Sequence, residues 1–317
     1  MRKKILILGA AGFIGTNLTL RLLHDHKKLI LFDKSDSIYT NEVKKADQDG
    51  RVSIKKGLFT ELMQEDWHKV IPELNEVETV YHLISTTCPT NSNQNIAGEV
   101  QENLISTIRF LDACVQAKIP KVVFLSSGGT VYGKEHTGLC REEEEAFPIT
   151  VYGMQKLSIE KTLYLYWNMY GLDYRIVRLS NPYGPYQKPN GIQGVVTTFT
   201  WNALHDLPVS VYGDGSVVRD YIYIDDAIDG ILTIANGCGS YRLYNLGSGK
   251  GFSVRQVIEL LKQKFPKELK VQFLSGRKVD VPINILDISR FENDYGKLHP
   301  IELSDGIDRL INYFSKC

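Results

Sequence analysis

Several things are scarce in this sequence. There is no charge excess: 37 Lys and Arg stand against 37 Asp and Glu in 317 residues. Proteins that coat DNA or RNA carry a large positive excess, so the balance argues against that class. It argues equally against an acidic solvating tail. Cysteine is sparse, with five residues (Cys88, Cys114, Cys140, Cys238, Cys317) and no CxxC pair. An odd, scattered set points to neither a disulfide framework nor a zinc site, and reduced thiols in a cytoplasmic protein are expected. The seven histidines show no HxxxH spacing, so no catalytic metal is expected. No apolar run approaches the roughly 18 residues of a membrane span. The basic start Arg2-Lys3-Lys4 leads into Ile5–Leu8, which is too short for a signal-peptide core.

What is present is ordinary globular composition, 43% hydrophobic and 23% charged. The length allows two domains or one large α/β unit with an appendage. Ile5-Leu6-Ile7-Leu8 reads as a parallel strand buried on both faces. It runs into Gly9-Ala10-Ala11-Gly12-Phe13-Ile14-Gly15 and then a helical pattern through Leu18, Leu22 and Leu23. Strand, glycine turn and helix together form a dinucleotide-binding unit. Gly9 permits the tight turn, Gly12 the approach of a pyrophosphate, and Gly15 close packing of the helix. The helix-start amides, at Phe13 and Ile14 among others, face the phosphates. A second strand, Leu29–Phe32, ends in Asp33, placed to accept hydrogen bonds from an adenosine ribose. A carboxylate there favours NAD over NADP, although Lys34 beside it is a base that a 2′-phosphate could meet.

Further strand-like runs occur at Val52–Lys55, Thr79–Ile84, Lys121–Ser126 and Tyr174–Leu179, with helical patterns between them, such as Glu99–Ala117. Such alternation predicts a doubly wound parallel sheet with ligands at the strands' C-terminal ends. Leu83 stands near the end of one such run and Ser126-Ser127 ends another. Tyr152-Gly-Met-Gln-Lys156 then opens a helix, and its Tyr and Lys, four apart, share one face. An ammonium near a phenol lowers the phenol's pKa from about 10. The phenol can then exchange a proton with an alcohol while a nicotinamide exchanges hydride.

These motifs resemble the extended short-chain dehydrogenase/reductases that act on nucleotide sugars, the NAD-dependent epimerase/dehydratase family. The resemblance rests on Gly9–Gly15, Tyr81-His82-Leu83, Ser126-Ser127, Val131-Tyr132-Gly133 and Tyr152–Lys156. It continues through Arg178–Pro185, Tyr212–Gly215, Arg219–Asp226 and Asn245–Gly249. It implies an α/β, Rossmann-type domain over 1–180 with segments returning near 220–250 (Tyr221–Ile224, Tyr244–Leu246). A smaller interleaved α/β substrate-binding lobe is implied mainly over 181–317, with the sugar nucleotide in the cleft. It implies Tyr152 as acid/base assisted by Lys156. Asn181 would be a ligand of the diphosphate or sugar, and Arg219 and Arg277 would clamp the diphosphate. Asp280 would partner Arg277 or the nucleotide ribose. Val209–Tyr212 would run beside the base. NAD is the implied cofactor, and a homodimer through helices at about 99–117 and 152–169 the implied assembly.

The chain departs from the family's pattern in places. Many 4-epimerases carry Ser or Thr where this sequence has Gly128, so Ser127, Thr130 or a water must supply that hydroxyl. The Asp-Glu pair of sugar dehydratases is replaced by Gly129 and Thr130, which argues against dehydration. The usual adenine-binding acid is absent at Gly57-Leu58, leaving backbone or Phe59 for that contact. The acidic run Glu142–Glu145 reads as a solvated loop. Asn284, where some epimerases carry Tyr, reads as room for an N-acetyl group. The expected function is NAD-dependent inversion of C4 in a UDP-hexose or UDP-N-acetylhexosamine through a 4-keto sugar. An NAD(P)H-dependent 4-reductase of a 4-keto-6-deoxy sugar is the alternative. A non-catalytic nucleotide sensor ranks below both.

Overall fold

The apolar run Ile5–Leu8 lies wholly in the interior of the computed structural model, which describes residues 3–34, 39–134, 138–189, 194–276 and 281–316. A strand with no polar face must be covered on both sides, and the parallel sheet provides that cover. The chain forms two units. The first comprises Met1–Ser126 and Thr150–Val177, the second Ser127–Ile149 and Arg178–Cys317.

The first unit contains β1 (Lys4–Leu8), α1 (Phe13–His24), β2 (Lys28–Asp33), α2 (Asn41–Gln48), β3 (Val52–Lys56), the short α3 (Trp67–Val70), β4 (Val77–His82), the short α4 (Ile96–Glu99), α5 (Ser106–Gln116), β5 (Lys121–Ser127), α6 (Val151–Tyr170) and β6 (Asp173–Leu179). Strands lie in the order β3-β2-β1-β4-β5-β6, the doubly wound order of dinucleotide-binding sheets. The register Leu8↔Phe32 and Leu8↔His82 aligns the C-terminal ends of β2, β1 and β4. The Rossmann-type expectation is met, and the order reverses where β1 meets β4, beside the glycine loop.

The pattern Glu99–Ala117 is not one uniform helix. Val100–Ile105 is π-helical between α4 and α5. The extra residue per turn accompanies two buried polar side chains turned to the loop after β4. Asn103 accepts from Thr86 N–H and donates to Thr86 Oγ1, and Glu99 accepts from Thr87 Oγ1. Such insertions in a helix are frequent at functional sites.

The second unit contains β7 (Asn181–Tyr183), α7 (Val195–Leu204), β8 (Val209–Tyr212), β9 (Val218–Tyr223), α8 (Ile224–Asn236), β10 (Leu243–Leu246), β11 (Gly251–Ser253), α9 (Val254–Lys264), β12 (Val271–Leu274), β13 (Ile283–Asn284), α10 (Ser289–Tyr295) and α11 (Leu303–Phe314). Tyr221–Ile224 falls mainly in β9, whose neighbours are β11, β13 and β7 within this unit. The chain just after β6 meets the end of β10, where Ser180 N–H donates to Leu246 O.

Asp220 on β9 knots this unit together. Its buried carboxylate accepts from Ser248 N–H, Ser248 Oγ, Gly249 N–H and Leu286 N–H. Burial pushes its pKa up, and these hydrogen bonds oppose the shift.

Candidate active site

In the first unit, Gly9 sits at φ +82°, open to glycine and strained for other residues. Gly15 carries the tightest constraint of the loop. A Cβ there would lie 2.2 Å from Gly9 O and 2.8 Å from Ala10 Cα. It therefore seats α1 on the loop's own backbone. At Gly12 the nearest atom to an added Cβ is Gly9 O at 3.3 Å, so that face is comparatively open. Gly12 caps α1 without a side-chain hydrogen bond. The amides of Phe13 and Ile14 thus begin a helix with no side-chain cap, as an anion site requires.

Asp33 ends β2 and accepts from Ala11 N–H at 3.0 Å. The ribose-binding candidate is thus tied to the glycine loop. Leu83 follows β4, its N–H donating to Leu8 O. Phe59 is only 5% exposed and packs against Trp67, His82 and Phe110. This corrects the expectation for its ring: it is committed to the core, which leaves the backbone alternative for adenine.

Helix α6 is fixed at its start by three caps. Val151 N–H donates to Asn93 Oδ1, Tyr152 N–H to Ser92 Oγ and Gly153 N–H to Thr150 Oγ1. Gly171 at φ +70° ends it. Within the helix, Gln155 donates to buried Glu99. The Tyr152 backbone is therefore held by the loop after β4. Sequence reading missed Ser92 and Asn93; only Thr150, a hydroxyl just before a helical pattern, carried a local signal.

Lys156 is 5% exposed, and its Nζ donates to Leu125 O at 2.9 Å. The ammonium lies 5.7 Å from the Tyr152 ring centroid and 4.8 Å from that of Phe124. Burial lowers its pKa to about 8, while Glu160 opposes the shift. Nearby His82 Nε2 is 2.9 Å from Thr107 Oγ1. Burial takes its pKa down to about 3, so the ring is neutral.

In the second unit, a Cβ on Gly128 would meet Leu286 Cδ1 at 2.5 Å and Arg178 O at 3.2 Å. Leu286 is buried with Val131, Tyr132 and Cys140, so it fills the space that a Ser or Thr at 128 needs. A hydroxyl-bearing side chain at 128 would therefore clash with a residue far away in sequence. Gly129 is open by contrast: the nearest atoms to a Cβ there are Asn181 Oδ1 at 3.8 Å and Ser127 Oγ at 4.0 Å. Those two oxygens flank one space. Thr130 Oγ1 is buried and has no hydrogen-bond partner among the described residues.

Asn181 Nδ2 donates to Asp220 O at 2.9 Å, which fixes the amide with its oxygen toward Gly129. Arg219 NH1 donates to Val218 O and Val281 O, anchoring the guanidinium. Tyr212 closes β8, which pairs with β12, and is half-exposed. Arg277 and Asp280 lie outside the described residues.

Two other expectations change. Asn284 is 1% exposed and donates to Gly128 O at 3.0 Å and to Cys140 Sγ at 3.7 Å. Its side chain is thus committed to packing against Gly128 and Cys140. Glu142 is not a solvated residue: it accepts from Asn245 N–H and pairs with Arg290. The polar cavity of about 580 Å³ beside it includes Arg141 and Arg290. Both guanidiniums are paired with the unit's own carboxylates, Asp287 and Glu143.

A model of the NAD-dependent epimerase/dehydratase family matches residues 5–247. An Escherichia coli dTDP-4-dehydro-6-deoxyglucose reductase is 31% identical, covering 97% of this chain and 96% of its own length. A Thermotoga maritima UDP-glucose 4-epimerase solved with UDP-glucose superposes with a TM-score of 0.89 at 30% identity, over 99% of each chain. A Thermus thermophilus UDP-glucose 4-epimerase solved with NAD gives 0.88 at 27% identity, over 98% of this chain and 99% of its own.

Proposed function

The chain belongs to the NAD-dependent epimerase/dehydratase family, and on that premise we propose that it inverts C4 of a nucleotide sugar, a UDP-hexose or UDP-N-acetylhexosamine, through a transient 4-keto sugar. The observation that carries this reading is the buried Lys156 ammonium beside the Tyr152 ring on a helix capped at three successive amides.

The residues fit NAD: Gly15 admits no side chain, α1 begins without a side-chain cap and Asp33 stands at the loop. Gly9, Gly12, Phe13, Ile14 and Gly15 would hold the pyrophosphate, Asp33 the adenosine ribose, Leu83 and the backbone at Phe59 the flanks, and Lys156 the nicotinamide ribose. When bound, NAD supplies a reversible two-electron acceptor for the sugar carbon. As the phenolate, which the Lys156 ammonium favours, Tyr152 takes the proton of the 4-hydroxyl, holds it as the phenol while the sugar is a ketone, and returns it. Ser127 or Thr130 orients that hydroxyl. Asn181, Tyr212, Arg219, Arg277 and Asp280 hold the nucleotide diphosphate and sugar. Residues 1–180 form the cofactor domain and 181–317 mainly the substrate lobe.

Without added reductant, the purified protein should convert UDP-glucose or UDP-N-acetylglucosamine to the 4-epimer, read by sugar-nucleotide chromatography. A second reading, reduction of a 4-keto-6-deoxy sugar, is favoured by Gly128 and by the 31% identical reductase. Stoichiometric bleaching of added NADH or NADPH with no epimer formed would replace the first reading by the second.

We assign the assembly as a cytoplasmic homodimer joined through α5 and α6. Helix α6 exposes Tyr164, Leu165, Met169 and Tyr170, a large apolar face for a lone subunit. Among the described residues no helix is long and apolar enough to cross a membrane. Leu165→Arg with Met169→Arg should convert dimer to monomer in light scattering. A monomeric wild type would refute the assignment.

A further inference from the structure

We propose that Glu160, held by Ser126, is the positioning residue that keeps Lys156 an ammonium beside Tyr152. The proposal rests on the reading of Tyr152 and Lys156 as the proton-transfer pair, and it begins from helix geometry. Tyr152, Lys156 and Glu160 follow at intervals of four on α6, so they form one stripe. Lys156 is 5% exposed and Glu160 3%. A buried ammonium that donates to a neutral carbonyl, here Leu125 O, is costly unless an opposite charge accompanies it.

Among the described residues, the groups facing Lys156 come from three elements. β4 offers His82, which is neutral. β5 offers the Phe124 ring and the Leu125 carbonyl. α6 offers the Tyr152 ring and Glu160. Of these, Glu160 supplies the negative charge. Ser126 Oγ donates a short hydrogen bond to Glu160 Oε1 and so fixes the carboxylate from β5.

The Ser126-Ser127 pair thereby acquires a division of labour. Successive residues of a strand point to opposite faces. Ser126 is buried and turned to Glu160, while Ser127 Oγ stands beside the open space at Gly129. An ammonium favours the neighbouring phenolate, so a group that keeps the proton on Lys156 acts on Tyr152 through it.

Glu160→Gln preserves shape and an acceptor for Ser126 while removing the charge. The direct readout is the titration of Lys156 itself, followed by NMR of the full protein carrying 13Cε-labelled lysine. The expected midpoint in Glu160→Gln lies about one pH unit or more below that of the wild type. The alkaline limb of the kcat profile should move with it, and KM for the nucleotide sugar should change less than about twofold. Glu160→Asp, which keeps the charge, should restore most of the midpoint. An unmoved Lys156 midpoint in Glu160→Gln would overturn the proposal, whatever happens to activity. If Glu160→Gln does not fold, Ser126→Ala carries the test: a midpoint lowered by about half a unit supports the proposal, and an unchanged one overturns it. A lowered midpoint with an unmoved kcat limb leaves Glu160's hold on Lys156 standing and removes Lys156 from turnover.

Discussion

Tyr152→Phe is expected to lower turnover by about 10³-fold, within the range for loss of a positioned general acid or base, with nucleotide-sugar affinity nearly unchanged. The substitution deletes one oxygen. The backbone caps from Ser92, Asn93 and Thr150 do not involve it, and the ring keeps its place near the Lys156 ammonium. Binding and chemistry should therefore separate: calorimetric affinity for UDP-sugar stays within about threefold while kcat collapses, the signature of an interaction made in the transition state. A loss of less than about tenfold would remove Tyr152 from proton transfer.

The same pair fixes the direction of the pH response. Lys156 gives up its proton near pH 8 because it is buried, so turnover should fall as pH rises through that value. Folding stability moves the other way. An unfolded lysine keeps its proton to about pH 10.4. Between the two values the unfolded chain binds more protons, so this group's contribution to stability rises with pH. A chain that gains stability while losing activity above pH 8 would separate the two effects of one buried amine.

What could be read from the sequence was what local pattern determines. Ile5–Leu8 is apolar throughout because both faces of β1 are covered. The glycines mark backbone approaches, and the interval of four between Tyr152 and Lys156 fixes a shared helix face. Long-range packing left no such trace. Phe59 has the composition of a ligand-facing ring and is instead part of an aromatic core with Trp67, His82 and Phe110. Gly128 reads as a missing hydroxyl, yet a side chain there would clash with Leu286, brought beside it only by folding. Asn284 looks like an enlarged pocket and is a buried hydrogen-bond donor to Gly128 O. The π-helical turn at Val100–Ile105 keeps a plain helical pattern in sequence, because one extra residue in a turn barely disturbs the apolar spacing around it. Glu160 stood one turn past Lys156 all along; its importance emerges only when both are found buried.

Gly15→Ala is the second large expected effect, and it differs in kind. The new Cβ would meet Gly9 O at 2.2 Å and Ala10 Cα at 2.8 Å, backbone atoms that cannot rotate away. Either α1 lifts from the loop or the loop leaves the end of β1. Forcing a methyl into such a contact typically costs about 1–3 kcal/mol, a fall of roughly 2–4 °C in melting temperature per kcal/mol for a chain of this size. The displaced amides are those proposed for the pyrophosphate, so NAD affinity should weaken by about 100-fold or more, equivalent to about 3 kcal/mol. Gly12→Ala provides the control. Its Cβ approaches only Gly9 O, at 3.3 Å, so the fold should accept it with a melting temperature close to that of the wild type. Its side chain would nevertheless stand on the open face of the loop, where a pyrophosphate would approach, and NAD affinity should fall without loss of stability. Calorimetric titration with NAD alongside thermal melts distinguishes the two. If Gly15→Ala binds NAD and melts like the wild type, the close seating of α1 on the loop is wrong. If Gly12→Ala leaves NAD affinity intact, the pyrophosphate does not approach the backbone there.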